Sequence, residues 1–135
     1  MVENRTYFRT LSLLSLLIGA FIGLATTNHF TTKTEGLLWL PAILLSAYAQ
    51  IKLNNDRPFL YSLWMGICQG MAMLVIHNLF WSSYLKHRPD LLLKAVTEKG
   101  FKVQMFVMSI VISMIYGLVL FGLVWLYRKV FAKKD

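Results

Sequence analysis

The chain has 135 residues, of which 57% are hydrophobic and 15% charged, and its 14 Lys and Arg outnumber its 6 Asp and Glu for a formal charge of +8. Soluble domains are about one quarter charged, so this composition excludes a typical soluble globular protein and also a disordered chain. The single cysteine, Cys68, excludes an internal disulfide and a multi-cysteine metal site. The length is that of one domain, residues 1–135.

The charged residues gather into short stretches that separate four long uncharged runs, at residues 10–32, 36–51, 58–85 and 103–127. A helix needs about 17 to 25 apolar residues to cross the hydrocarbon core, a length that three runs reach and the second nearly reaches. Barrel strands would alternate polar and apolar residues, and these runs do not. We therefore predict an all-α integral membrane bundle of four transmembrane helices, near residues 9–27, 36–53, 58–85 and 102–129.

The first three predicted helices carry recognisable boundary signals. The first run is long and is not followed by a small-x-small cleavage motif, so we expect it to stay as a helix rather than leave as a secretory signal. The second begins with Pro41 in its first turns and can extend its span through the long stem of Lys52. The third follows Asp56 and Arg57 and starts at Pro58, which predicts a tight turn between helices two and three.

The longest connection, between helices three and four, predicts a short helix of its own. Pro89 and Asp90 provide a helix start and Gly100 a stop, which bounds a segment over residues 90–99. Its leucines can face lipid while Lys94 faces water, as in a helix lying among the lipid headgroups. A mobile basic loop is the alternative.

The distribution of Lys and Arg predicts the orientation. Four spans place both termini on one side, where the termini and the turn between helices two and three hold eight Lys and Arg, against six on the other side. The more basic side is usually cytoplasmic, so we expect both termini in the cytoplasm. The positive charge suits anionic lipid headgroups, whereas nucleic acid would need a soluble basic domain that this chain lacks.

Small residues recur four positions apart in every predicted helix. This spacing places them on one helical face, where two backbones can approach closely. The pattern predicts a packing seam on each helix, used inside the bundle or, alternatively, between subunits. The seams consist of Ser15, Gly19, Gly23 and Thr27 in the first helix, Ala42 and Ser46 in the second, Ser62, Gly66 and Gly70 in the third, and Ser109, Ser113 and Gly117 in the fourth.

Polar side chains within the uncharged runs concentrate on the third helix. Gln69, His77 and Asn78 are the strongest of them, and Ser62, Gln69 and His77 share one face. An imidazole changes charge near neutral pH, so this face is a candidate polar pathway for protons or ions. The competing interpretation is structural, with these groups bonded to neighbouring helices or to interfacial water.

The sequence gives only a weak indication of a metal site. Met65, Cys68, Met71, Met73 and His77 carry atoms that suit Cu(I), but their spacing does not converge on one ion, and we expect no metal or other cofactor.

The uncharged runs contain no Asp, Glu, Lys or Arg and no nucleophile beside a base, so we expect no intramembrane enzyme. An enzyme acting at the bilayer surface stays open as an alternative, because the predicted hydrated ends contain several titratable residues. They are His29, Asp56, Arg57, His87, Arg88 and Asp90.

The third helix and the loop after it resemble a known family. The stretch combines Tyr61-Ser62, the spaced Gly66 and Gly70, an aromatic exit from Trp81 to Tyr84, and Pro89-Asp90 leading into leucines. It resembles the small four-helix bacterial membrane proteins of the "domain of unknown function 4199" family, over roughly 30 residues. The resemblance implies a four-helix bundle in the bacterial inner membrane, and the family has no activity to carry over.

These observations lead to one expected function and one alternative. We expect a non-catalytic integral membrane protein that acts through helix packing with itself or with a membrane partner. The alternative is a small oligomeric transporter or channel with a pathway along the face of Ser62, Gln69 and His77.

Overall fold

The computed structural model describes residues 2–28, 32–53 and 56–131, and these contain helices and turns but no strand. The helices are α1 (Val2–Asn28), α2 (Thr32–Leu53), α3 (Pro58–Leu79), α4 (Trp81–Lys86), α5 (Pro89–Thr97) and α6 (Phe101–Phe131). The all-α prediction is confirmed for this part of the chain. Four of the helices, α1, α2, α3 and α6, are long and apolar enough to cross a membrane.

The four long helices form a bundle in which α3 packs between α1 and α6, while α2 lies against α1 and α6 and also touches α3. Thr26, near the end of α1, contacts His77, near the end of α3, so these two helices run in the same direction. Gln50, near the end of α2, contacts Ser62 at the start of α3, so α2 runs the opposite way. We call the end of the bundle that carries residues 80–100 the Arg88 end, and the end that carries Asp56 the Asp56 end. The tight turn predicted between the second and third helices falls partly on residues 54 and 55, outside the described residues.

The third predicted helix is divided in two. It was expected to run over residues 58–85, but α3 ends at Leu79, and α4 starts after Phe80, whose φ of −111° and ψ of 36° leave helical geometry. The Phe80 amide still donates to the Ile76 carbonyl at 3.0 Å, so the interruption costs no hydrogen bond there. The candidate membrane span therefore ends at Leu79, and α4 follows it as a separate short helix.

The second helix starts earlier than its uncharged run. We used the charged Glu35 as a boundary, but α2 begins at Thr32, since charged residues are compatible with the first turn of a helix. The expectation that Pro41 lies in the first turns is therefore wrong, because the earlier start places it inside α2. Its missing N–H removes one bond of the helical ladder.

The connection before α6 contains the expected short helix. α5 covers Pro89–Thr97, within about two residues of the prediction, and Gly100 with φ of +85° lies just before α6. No residue of α5 is buried. Leu93 and Val96 are exposed as well as Lys94.

The predicted packing seams lie in contacts within the bundle. A Cβ added to Gly19 would stand 2.8 Å from the Gln69 Cα on α3, and one added to Gly66 would stand 2.9 Å from the Gly117 nitrogen on α6. Gly23 and Gly70 are equally close to neighbouring helices. Hydroxyl groups on the seams bond their own helices: Ser15 donates to the Leu11 carbonyl, Thr27 to the Gly23 carbonyl and Ser113 to the Ser109 carbonyl.

The apolar core lies in two clusters between the long helices. The larger joins α1, α2, α3 and α6 through Leu11, Ala47, Tyr61, Met65, Tyr116, Leu120 and Val124. The smaller joins Ile22, Ala42 and Met73 nearer the Arg88 end. At that end the helices are also joined by polar contacts.

Candidate functional site

Arg88 is completely buried at the Arg88 end and bonds two elements at once. Its Nη2 donates to Glu35 Oε2 of α2 at 2.6 Å, and its Nη1 donates to the Thr26 carbonyl of α1 at 2.8 Å. The guanidinium carbon lies 4.1 Å from the centre of the Tyr84 ring. A buried charge is costly unless paired and hydrogen-bonded, and these contacts supply that compensation.

Local sequence explains why Arg88 reaches this position. Arg88 precedes Pro89, and helical geometry is disfavoured for a residue before proline. With φ of −135° and ψ of 78°, Arg88 is the non-helical residue directly before α5. Its partners are electrostatically favourable, because Glu35 occupies the first turn of α2 and the Thr26 carbonyl belongs to the last turn of α1. Helix ends favour anions at the first turn and cations at the last.

His77 lies beside this ion pair and is 4% exposed. Its ring stacks on the Tyr84 ring with centroids 4.0 Å apart, and its Nε2 is 2.7 Å from Thr26 Oγ1. The Thr26 hydroxyl also lies 2.8 Å from the Ile22 carbonyl, so its single proton can go either to that carbonyl or to Nε2. In both arrangements Nε2 is engaged with Thr26, and Nδ1 is the other ring nitrogen.

Tyr84 completes the group, in α4 outside the four long helices. Burial, reinforced by the negative charge of Glu35 and opposed by the positive charge of Arg88, raises the pKa of Tyr84 to about 12. The phenol therefore stays protonated and neutral at any physiological pH. Its uncharged ring contacts both the imidazole and the guanidinium.

An open cleft of about 410 Å³ between α2 and α6 reaches this polar group. Glu35, His77 and Tyr84 form its polar end. The remaining lining is almost entirely apolar: Gly36, Trp39, Met73, Leu91, Met105, Met108, Ser109 and Ile112.

Two further polar layers lie deeper along α3. Gln69 donates to Ser46 Oγ of α2 at 2.8 Å, and that hydroxyl is 3.4 Å from the Tyr116 hydroxyl of α6. Gln50 of α2 donates to Ser62 Oγ at 3.0 Å. Both glutamines are completely buried, so these layers join α2 to α3 and α6 inside the bundle.

The structure brings together only part of the predicted polar pathway. Ser62, Gln69 and His77 face the bundle interior, but each belongs to a separate layer, about 10 to 12 Å apart along α3 at 1.5 Å per residue. Asn78 does not belong with them, because it is exposed and its amide donates to the Leu74 carbonyl of its own helix. A step of one residue turns a side chain by about 100°, which carries Asn78 away from the face of His77.

The residues considered for metal chemistry do not converge. Met71 is exposed, whereas Met65 and Met73 are buried in different core clusters. No group of three His, Cys, Asp or Glu that could hold a metal occurs among residues 2–28, 32–53 and 56–131. His29, considered as a residue of a hydrated end, lies outside the described residues.

Sequence reasoning missed the pairing of Arg88 with Glu35. The sequence predicts Glu35 as a helix boundary and Arg88, 53 positions away, as a residue of a hydrated end, but Arg88 is completely buried. Two signals pointed to them: Glu35 is one of only six acidic residues, and Arg88 directly precedes a proline. Neither signal identifies a partner, because pairing depends on how the helix ends meet in space.

Comparisons with protein-family models, with curated proteins and with solved structures found no match to this chain. The resemblance to the four-helix bacterial family therefore stays an expectation.

Proposed function

We propose that this chain is an integral membrane protein in which α1, α2, α3 and α6 each cross the bilayer once. The outer face of α6 carries the proposal. Soluble proteins rarely expose contiguous apolar patches above a few hundred Å², whereas most of this 31-residue helix is exposed and apolar. Its exposed side chains include Val107, Val111, Ile115, Leu118 and Leu126.

The location that fits this proposal is the bacterial inner membrane, with both termini in the cytoplasm. The division of Lys and Arg between the two ends favours this orientation, and the basic rims suit anionic headgroups. α5 fits an interfacial position, because none of its residues is buried and Leu92, Leu93 and Val96 are exposed.

We propose that the protein acts without catalysis, through helix packing with itself or with a membrane partner. The predicted seams are occupied within the bundle, so a contact surface must lie on an outer face, and the 31-residue α6 offers the longest one. Gly122 lies on this face, with no atom within 4 Å of where its Cβ would be. A helix from another subunit could approach the α6 backbone closely there.

Disulfide crosslinking in native membranes tests this assembly. In a Cys68→Ala background, Gly122→Cys places a thiol on the proposed contact face. Ile110→Cys is the matched control, exposed on α6 but about 120° around the helix at 3.6 residues per turn. Oxidation should give a species above the monomer mass for Gly122→Cys only. Monomer for both variants, with no adduct to another protein, would contradict assembly through this face.

A transporter or channel is the second candidate function, and one observation favours it. The Gln69 Oε1 atom is buried and has no hydrogen-bond partner within the described part of the chain, so a polar site lies midway along α3. The spacing of the layers weighs against a continuous path, since hydrogen bonds span about 3 Å and the layers are several times farther apart.

His77→Leu separates the two functions. If His77 serves packing, the variant loses one neutral hydrogen bond and a ring contact, so the free energy of unfolding should fall by about 1 kcal/mol. Cellular function should persist. A pathway instead requires that liposomes containing the wild-type protein conduct protons or ions and that folded His77→Leu does not, because leucine cannot exchange a proton.

A further inference from the structure

The cleft between α2 and α6 combines apolar walls with a polar end, the arrangement that suits an amphiphile. Its volume of about 410 Å³ falls in the range of about 300 to 1,000 Å³ typical of small-molecule sites. Met108 and Ile112 line the wall on α6, and both are exposed on the outer surface of the bundle. The cleft is therefore open sideways, toward the region where the proposed function places lipid chains.

The polar end presents hydrogen-bond acceptors. His77 also lines the cleft, and because its Nε2 is engaged with Thr26, Nδ1 is the ring nitrogen left to contact a ligand. The Glu35 carboxylate also lines the cleft, and its side chain keeps 18% exposure while Oε2 bonds Arg88. A matching ligand must carry N–H or O–H donors, and a positive charge would complement Glu35.

Basic residues at the same end of the bundle favour a ligand that also carries a phosphate. These are the exposed Lys86 at the end of α4, Lys94 and Lys99 in the connection, and Lys102 in the first turn of α6. Cations near a membrane surface attract anionic groups. A phospholipid with a primary ammonium supplies a donor cation, a phosphate and an apolar chain in one molecule.

We infer that this cleft binds a membrane phospholipid with a primary ammonium headgroup, with the ammonium at Glu35 and His77 and an acyl chain along Met108 and Ile112. This inference rests on the proposed membrane insertion. Phosphatidylcholine is the discriminating comparison, because its trimethylated nitrogen keeps the charge and the phosphate but has no N–H donor.

Another groove of the bundle provides a matched control. It lies between α1 and α2 and has a similar volume of about 420 Å³. All of its lining residues are apolar, and Leu45 is one of them. Leu45→Trp should fill this groove, as Ile112→Trp should fill the cleft. Both positions are about half exposed, so the two substitutions impose comparable changes on the outer surface.

The experiment uses full-length protein reconstituted into phosphatidylcholine nanodiscs, to which phosphatidylethanolamine is added at increasing mole fraction. Native mass spectrometry then measures the lipid retained by the released protein. We expect phosphatidylethanolamine to be retained about tenfold over phosphatidylcholine, as one charge-assisted hydrogen bond predicts. Ile112→Trp should remove this preference and Leu45→Trp should keep it.

Glu35→Gln should also reduce the preference for phosphatidylethanolamine. Because this substitution removes the carboxylate that pairs with Arg88, it can impair folding, and Ile112→Trp then tests the inference without disturbing the ion pair. Equal retention of the two lipids by the wild-type protein would overturn the inference, as would equal effects of the two tryptophan variants. Reconstitution reports separately on the proposed function, because a protein that does not enter nanodiscs fails before any lipid preference is measured.

Discussion

Arg88 shows how one residue can hold the end of a helical bundle together. Its side chain joins the end of α1 to the start of α2, and its backbone lies between α4 and α5. The charge is compensated by a carboxylate, a carbonyl and an aromatic ring, although Nε has no hydrogen-bond partner among the described residues. Removing one member of a buried pair leaves the other uncompensated, so the contribution of Arg88 should be measurable.

Arg88→Met should lower the free energy of unfolding by about 2 to 4 kcal/mol. This loss is somewhat smaller than the largest losses seen when a fully buried ion pair is broken, because Glu35 is partly exposed and water can solvate it. Lys86→Met is the control. Lys86 is exposed and lies two residues before Arg88, so this substitution removes the same charge from the surface and should change stability by less than about 0.5 kcal/mol. Denaturant unfolding in detergent, followed by circular dichroism, measures both. Equal effects would show that the ion pair contributes nothing to stability.

Two glycines give opposite predictions for the same substitution. Gly66→Ala places a Cβ against the α6 backbone and should destabilise by about 1 to 3 kcal/mol through overpacking. Gly122→Ala meets open space and should stabilise the monomer by up to about 1 kcal/mol, since alanine favours helix. Thermal unfolding of the two variants checks the contrast. A tolerated Gly66→Ala would mean that α3 and α6 are not in close contact.

At the scale of elements, α2 differs from the other long helices in how it is attached. Open grooves run along its contacts with α1 and with α6. Buried hydrogen bonds from Gln50 and Ser46 join it to α3. These bonds specify the position of α2, because an unpaired amide inside the bundle would be costly.

Gln50→Leu should therefore weaken the attachment of α2, with a loss of about 1 to 2 kcal/mol, as Ser62 loses its partner on α2. Asn78→Leu makes the same kind of change at an exposed site bonded within its own helix, and it should be nearly neutral. Hydrogen exchange of α2 amides reports the effect locally. Faster exchange in α2 for Gln50→Leu but not for Asn78→Leu is expected, and unchanged α2 protection in both would contradict this role.

The long helices could be predicted because uncharged runs of membrane-spanning length are a strong one-dimensional signal. The break at Phe80 left no such signal, since residues 58–85 are uniformly uncharged and neither glycine nor proline marks the bend. Within the site, sequence spacing placed Gln69 and His77 on one face of α3, and both are buried. It did not identify Thr26, Glu35 and Arg88 as the surroundings of His77, because contacts between helix ends depend on tertiary packing that periodicity does not encode.

At the scale of the whole molecule, charge is separated from apolar surface along the bundle axis. The Arg88 end carries the exposed lysines before α6, and the Asp56 end carries Arg57 and the basic residues that close α6. The four long helices between them expose mainly apolar side chains. A bilayer is the environment that matches this distribution, with water at both ends and hydrocarbon around the middle.

Accessibility of single cysteines at the two ends of the bundle tests this central claim most directly. In a Cys68→Ala background, Asp56→Cys and Glu98→Cys place thiols at exposed positions at opposite ends. A membrane-impermeant maleimide applied to intact bacterial spheroplasts should label Glu98→Cys immediately and Asp56→Cys only after permeabilisation, since the Asp56 end is expected in the cytoplasm. Labelling of Asp56→Cys alone would reverse the orientation. The same accessibility at both positions would contradict a bundle that spans the membrane.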